Sequence, residues 1–160
     1  MNIVVRSGGQ TGADRAALDA AREAGARICG WCPQGGWAED MPDPPGLRAI
    51  YPELAEAASP DPIVRTEWNV RDADATLIVC PEGIVLGSGT AATLEFARQL
   101  GKPHFVSNGH DYEAVRSWIE ILANEHDSLD LNVAGPRESG SPGVYELTRN
   151  LVRQLLRCVL

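Results

Sequence analysis

Apolar residues fall along this chain in two alternating kinds of run. Short stretches are apolar at nearly every position: Asn2–Arg6 (NIVVR), Ile28–Trp31, Thr76–Cys80 (TLIVC), His104–Ser107 and Leu131–Ala134. Between them lie longer stretches whose apolar positions recur at helical spacing, as in Val115, Trp118, Ile119 and Leu122, or Val144, Leu147, Leu151 and Leu155. The short runs predict strands. The long ones predict helices over Ala13–Ala24, Pro62–Asp72, Thr90–Leu100, Asp111–Asn124 and Pro142–Arg157. Gly25 suits the end of the first helix, Asp61 and Pro62 suit the start of the second, and Gly101-Lys102-Pro103 closes the third. Strands without polar alternation are buried on both faces, and strand–helix alternation then predicts an α/β fold. The expectation is a doubly wound, mostly parallel sheet of about five strands with helices on both faces, in a single domain over residues 1–160. Residues 33–60 hold six of the eleven prolines, so regular sheet is not expected there.

Ligands of such sheets bind beyond the carboxyl ends of the strands, so the loops after the strands become the candidates. Loop one runs Ser7-Gly8-Gly9-Gln10-Thr11-Gly12, then Asp14 and Arg15. Glycines let backbone approach a ligand closely, and amides at a helix start face an anion. No Lys-Ser/Thr follows Gly12, so this is not a Walker A loop, and the spacing is not that of a dinucleotide fingerprint. Thr11 and Asp14 alternatively fit a capping box with Asp in place of Glu. Loop two carries Gly87, Ser88, Gly89 and Thr90 into the next helix, with Ser88 or Thr90 as candidate cap. Loop three, from Gly135, Pro136 and Arg137 to Gly143, offers Arg137 as a charged donor to phosphate. Glu67, Asn69 and Asp72 stand in an unusually polar helix and are either readers of a ligand or a solvated face. Trp31, Trp37 and Trp68 fall near the same edge, where a ring could stack, although packing is the commoner role.

Charge narrows the ligand. A net charge of −8 over 160 residues is a poor match to nucleic acid or an anionic membrane, so an anionic small molecule must be held by local donors. There is no apolar run near 20 residues and no basic-plus-apolar leader, which points to the cytoplasm. Cys29 and Cys32 form a C-x-x-C, but Pro33-Gln34-Gly35-Gly36 follows rather than a helix that would lower a thiol pKa. No second ligand pair completes a zinc site, and no metal site is read.

Taken in order, "SGGQTGADRAALDAA", "GWCPQGGWAED", "YPELAEAASPDPIVRTEWNVRDADATLIV", "GSGTAATLEFARQLGKP" and "NVAGPRESGSPGVYE" resemble the molybdenum (cofactor) carrier family over nearly the whole chain. That family lies in a Rossmann-like group that also holds the lysine-decarboxylase-like phosphoribohydrolases. The resemblance implies a Rossmann-like fold, a bound molybdenum cofactor or related phosphorylated pterin or nucleotide, and a homo-oligomer. It places Gly8, Gly9, Gln10, Thr11, Gly12 and Asp14 in a first signature and Gly87, Ser88, Gly89 and Thr90 in a second. It places Glu67, Asn69 and Asp72 in a third, and Gly135, Pro136 and Arg137 in the last. The phosphoribohydrolases carry Glu three residues after the Thr of their glycine motif. Here that position is Thr93, and the nearest acid, Glu95, points about 200° further round the helix. The expected function is therefore a binding protein, a molybdenum cofactor carrier, without catalytic residues. The alternatives are a nucleoside-monophosphate phosphoribohydrolase and, through Cys29 and Cys32, a redox module.

Overall fold

The computed structural model describes residues 2–159. Its elements follow the alternation of the chain: β1 (Asn2–Arg6), α1 (Ala13–Glu23), β2 (Arg27–Cys29), β3 (Trp31–Cys32), a 3-10 turn (Gly46–Ala49), β4 (Ala55–Glu56), α2 (Pro62–Asp72), β5 (Ala75–Val79), α3 (Gly89–Gln99), β6 (His104–Ser107), α4 (Tyr112–Ala123), β7 (Ser128–Ala134) and α5 (Val144–Val159). The main sheet has the order β2-β1-β7-β5-β6, and every neighbouring pair is parallel. The fold class expected from the sequence is the one observed.

All five residues of β5 are buried, and their side chains turn alternately to the two faces. Ala75, Leu77 and Val79 join the core on one face, with Ala17, Ala20 and Ala21 of α1, Val115, Ile119 and Leu122 of α4, and Leu151, Val152, Leu155 and Leu156 of α5. Ile78 turns to the other face, with Cys80 and with Leu94 of α3. The alanine stripe of α1 lets it lie close against α5, the most extensive helix–helix contact of the fold. Each fully buried side chain of Leu or Ile size adds about 1.5–3 kcal/mol, so these apolar strands carry much of the stability.

Three sequence-based boundaries shift. β7 starts at Ser128 rather than Leu131. Its polar first half is answered in kind: Arg6 donates to both oxygens of Asp130 (2.9 and 2.8 Å), and the Asp130 amide donates to Asp74 (2.8 Å). The expected strand Ile28–Trp31 is split at Gly30. Gly30 has φ 145°, and a Cβ there would overlap the Ser7 carbonyl oxygen. The chain thus leaves the main sheet, and β3 pairs in parallel with β4 instead. Residues 33–60, expected to hold no regular sheet, carry the short strand β4, because two residues free of proline suffice to pair with β3. Leu47, Tyr51 and Leu54 pack with Leu18 of α1 and Cys32 in a second core.

Gly30→Ala is expected to cost about 3 kcal/mol in urea unfolding, from backbone strain plus overlap with β1. Gly25→Ala, where φ is also positive but nothing lies within 4 Å of the added carbon, is expected to cost only about 1 kcal/mol. Equal losses in the two variants would refute this account of Gly30.

Candidate functional site

The strand order reverses direction around β1, β7 and β5, and a cavity of about 550 Å³ opens beyond their carboxyl ends. That volume falls in the range of ordinary small-ligand sites, roughly 300–1,000 Å³. All three glycine loops reach it, together with the amino end of α2.

Loop one contributes Gln10 and Asp14 to the wall. The Gln10 carbonyl oxygen accepts two backbone amides, those of Thr11 and Glu39, both at 3.0 Å. This fixes which way the carboxamide faces. Its NH₂ group is buried and has no partner among the described residues. Asp14 is 4% exposed and accepts from Arg65 of α2 at 3.2 Å. Burial pushes the Asp14 carboxyl up, against the pull of Arg65 and of a backbone donor. A Cβ on Gly8 would overlap the Arg65 guanidinium, so the glycine is what admits Arg65 to Asp14. Arg65 Nε is likewise buried without a partner among the described residues.

The capping-box reading of Thr11 and Asp14 is corrected. The cap position of α1 is Gly12, with φ 81° and no side-chain cap bond. A Cβ at Gly12 would overlap the Pro136 carbonyl oxygen, so loop three crosses the helix start where a capping side chain would stand. Thr11 donates instead to Glu39 at 2.5 Å, and its hydroxyl accepts from the Glu138 amide at 3.3 Å. Gly9 packs on Leu47 and Leu54, so Gly8, Gly9, Thr11 and Gly12 shape the loop while Gln10 and Asp14 face the cavity.

Loop two brings Ser88, Gly89, Thr90 and Thr93 to the wall; Gly87, just before the cap, does not line it. Ser88 is the cap of α3 and accepts from Ala91 at 3.1 Å. Cys80 also lines the cavity; its thiol donates to the Gly83 carbonyl at 2.7 Å and is pushed up by burial. Glu95 is exposed on the outer side of α3 and accepts from Gln99 at 3.0 Å. From loop three, Gly135, Pro136 and Arg137 line the cavity. A Cβ on Gly135 would overlap the Val79 carbonyl oxygen, which shows how tightly this loop passes the end of β5. The Arg137 guanidinium lies 5.2 Å from the Trp37 ring centroid and 3.7 Å from Glu39. Glu39 also accepts from Ser139 at 2.8 Å. Hydrogen bonds from Thr11 and Ser139 hold the Glu39 carboxyl below its usual range. One carboxylate thus ties the proline-rich segment to loops one and three.

The polar helix is placed differently. Glu67 is exposed, Asn69 clamps the Trp31 backbone (2.8 and 2.9 Å), and Asp72 accepts from the Trp31 indole at 2.8 Å. None of the three lines the cavity, whereas Arg65 and Thr66 do. Arg65, Asn69 and Asp72 share one helix face at i, i+4 and i+7. α2 starts at the cavity, so Asn69 and Asp72 lie about 6 and 10 Å deeper along its axis. Trp31 and Trp68 pack edge to face at 4.9 Å. Burial pushes the Cys29 and Cys32 thiols up, the reverse of an activated redox pair.

The sheet order carries one further regularity. Counted from β5 through β7 and then on to β1 and β2, it becomes 2-1-3-4-5, the order of flavodoxin-like doubly wound sheets. The present ends of the chain fall inside a β7–α5–β1 unit of that order. The model of the circularly permutated YpsA SLOG family matches residues 5–156. The chain belongs to that family. The topology shows what the permutation means in this SLOG protein: β1 and β2 precede β5 along the chain instead of following α5, and α2 leads into β5. A solved structure from Syntrophus aciditrophicus, named "Putative molybdenum carrier protein", is similar to it at 35% identity and TM-score 0.80, over 98% of this chain and 95% of that one. No functionally curated protein matches.

Because the Glu39 carboxyl is lowered in the fold, its contribution is present above its ordinary value of 4.5 and is lost as pH falls below it. Glu39→Gln is expected to flatten the fall in unfolding free energy between neutral and acid pH relative to wild type. Parallel pH profiles for the two proteins would show that the Glu39 contacts add no pH-dependent stability.

Proposed function

We propose that this protein is a carrier that binds a phosphate-bearing, nucleotide-like small molecule in the three-loop cavity, the molybdenum cofactor being the foremost candidate. The observation that carries the reading is the pair of buried, unpartnered donors, Gln10 Nε2 and Arg65 Nε. Gln10 and Arg65 both line the cavity, and a buried donor is costly to leave unmade, which argues for an acceptor that a ligand brings. The first turn of α3 and the Arg137 side chain add positive potential to the same space. These groups suit a phosphate and the polar edge of a pterin or purine ring, and the name of the Syntrophus aciditrophicus neighbour points to the same class. Gly8, Gly9, Thr11, Gly12 and Gly87 serve this site through loop shape, and Gly135 and Pro136 through the wall they form.

The hydrolase reading has less to stand on. Thr93 occupies the cavity wall where the resemblance to phosphoribohydrolases would call for Glu, and Glu95 is bound to Gln99 outside it.

Thermal unfolding with a phosphorylated pterin, AMP, molybdate and inorganic phosphate tests the proposal. A ligand at 100 times its Kd adds about 2.7 kcal/mol. For a chain of this size that is a rise of roughly 5–10 °C. Arg65→Lys keeps a cation beside Asp14 but removes Nε, and is expected to weaken binding about tenfold. No shift with any of the four compounds overturns the carrier reading, and release of free adenine from AMP would replace it with the hydrolase.

A further inference from the structure

A second concavity of about 400 Å³ lies beside the cavity, in the proline-rich segment. Its walls are Trp37, Pro42, Pro44, Pro60 and Pro62, with Gln34 at the rim. Two residues connect it to the first site. Pro62, at the start of α2, lines both spaces. Arg137 lines the cavity and lies against the Trp37 ring, 5.2 Å from its centroid. The groove is built in advance of any ligand: the Gln34 amide donates to the Ser59 carbonyl at 2.9 Å, and the Gly35 amide to Glu56 at 2.7 Å.

We infer that this groove is a second subsite, which takes a planar heterocyclic base joined through a diphosphate to the group held in the cavity. The ligand class is thus dinucleotide-like rather than mononucleotide-like. An indole and four proline rings offer flat apolar surface to a ring, and an exposed carboxamide at the rim offers both donor and acceptor to a base edge. The bridge would pass Pro62 within the field of Arg137, the cation common to the cavity and Trp37. The groove has the volume of a small-molecule site and adjoins one, and this continuity selects the tethered base as its occupant. Stacking of a base on an aromatic side chain is tolerant of base identity, so the subsite selects for a second ring more than for a particular one. The inference rests on the proposed function, since the first half of the ligand must occupy the cavity.

Isothermal titration with AMP, ADP and diadenosine diphosphate separates the two readings. Diadenosine diphosphate is expected to bind at least tenfold more tightly than ADP, because the second ring binds at high effective concentration once the first is seated. Trp37→Leu should bring its affinity down to that of ADP while ADP changes less than twofold. Gln34→Ala, at an exposed position, should show the same selective loss to a smaller extent and serves if the Leu variant does not fold. Equal affinities for ADP and diadenosine diphosphate in the wild type overturn the second subsite and leave the carrier reading standing. So does a loss in Trp37→Leu shared by both ligands. Failure of all three nucleotides overturns the subsite. If the phosphorylated pterin, molybdate and inorganic phosphate fail as well, the carrier reading falls with it.

Discussion

The buried pair of Asp14 and Arg65 ties the two halves of the site together. It joins the first turn of α1 to the second turn of α2 across the mouth of the sheet, with its carboxylate almost fully out of water. Such a pair stabilises little in total, but removing one partner leaves an unpaired charge in the interior and costs about 3–5 kcal/mol. Its geometry dictates several neighbours. Gly8 is side-chain-free because the guanidinium occupies that space. The orientation of Gln10, which lines the same cavity, is set by two backbone amides. Gln10 and Arg65 thus share one cavity wall, while the adjacent carboxylate is already engaged.

Much of the fold was legible in the chain. Uninterrupted apolar strands such as Ala75–Val79 and the alanine stripe of α1 announced a parallel sheet clad in helices, and the elements lie close to where periodicity places them. Two kinds of information were not local. Ser128–Asp130 look unlike strand until Arg6 and Asp74, distant in sequence, are set beside them. Nothing in the pattern says that the last strand lies in the middle of the sheet, because strand order depends on pairing rather than on any run of residues.

The site was legible in the same uneven way. Glycine loops after strands pointed to the carboxyl edge of the sheet, and Gln10, Asp14, Ser88, Gly89, Thr90 and Arg137 line one cavity there. Arg65 escaped notice because a lone arginine on a polar helix carries no local signal; its meaning comes from the absence of a side chain at Gly8 and the burial of Asp14. The role of the proline-rich segment was hidden for a similar reason. Lacking periodicity, it reads as a loop, yet Leu47, Tyr51 and Leu54 anchor it on α1, Glu39 accepts from Thr11, and Trp37 lies against Arg137.

The position of β7 also governs when the protein can work during its own synthesis. β1 leaves the ribosome first, but one of its two neighbours, β7, leaves last, with Asn2 paired to Ser128 and Arg6 to Asn132. Until then the β1–β2 half has an open edge facing the interior of the future sheet, exposing unpaired backbone and apolar side chains. Loops one and two are therefore joined through the sheet only after β7 is made. A truncated or stalled product holds fragments of the pocket without the strand that joins them.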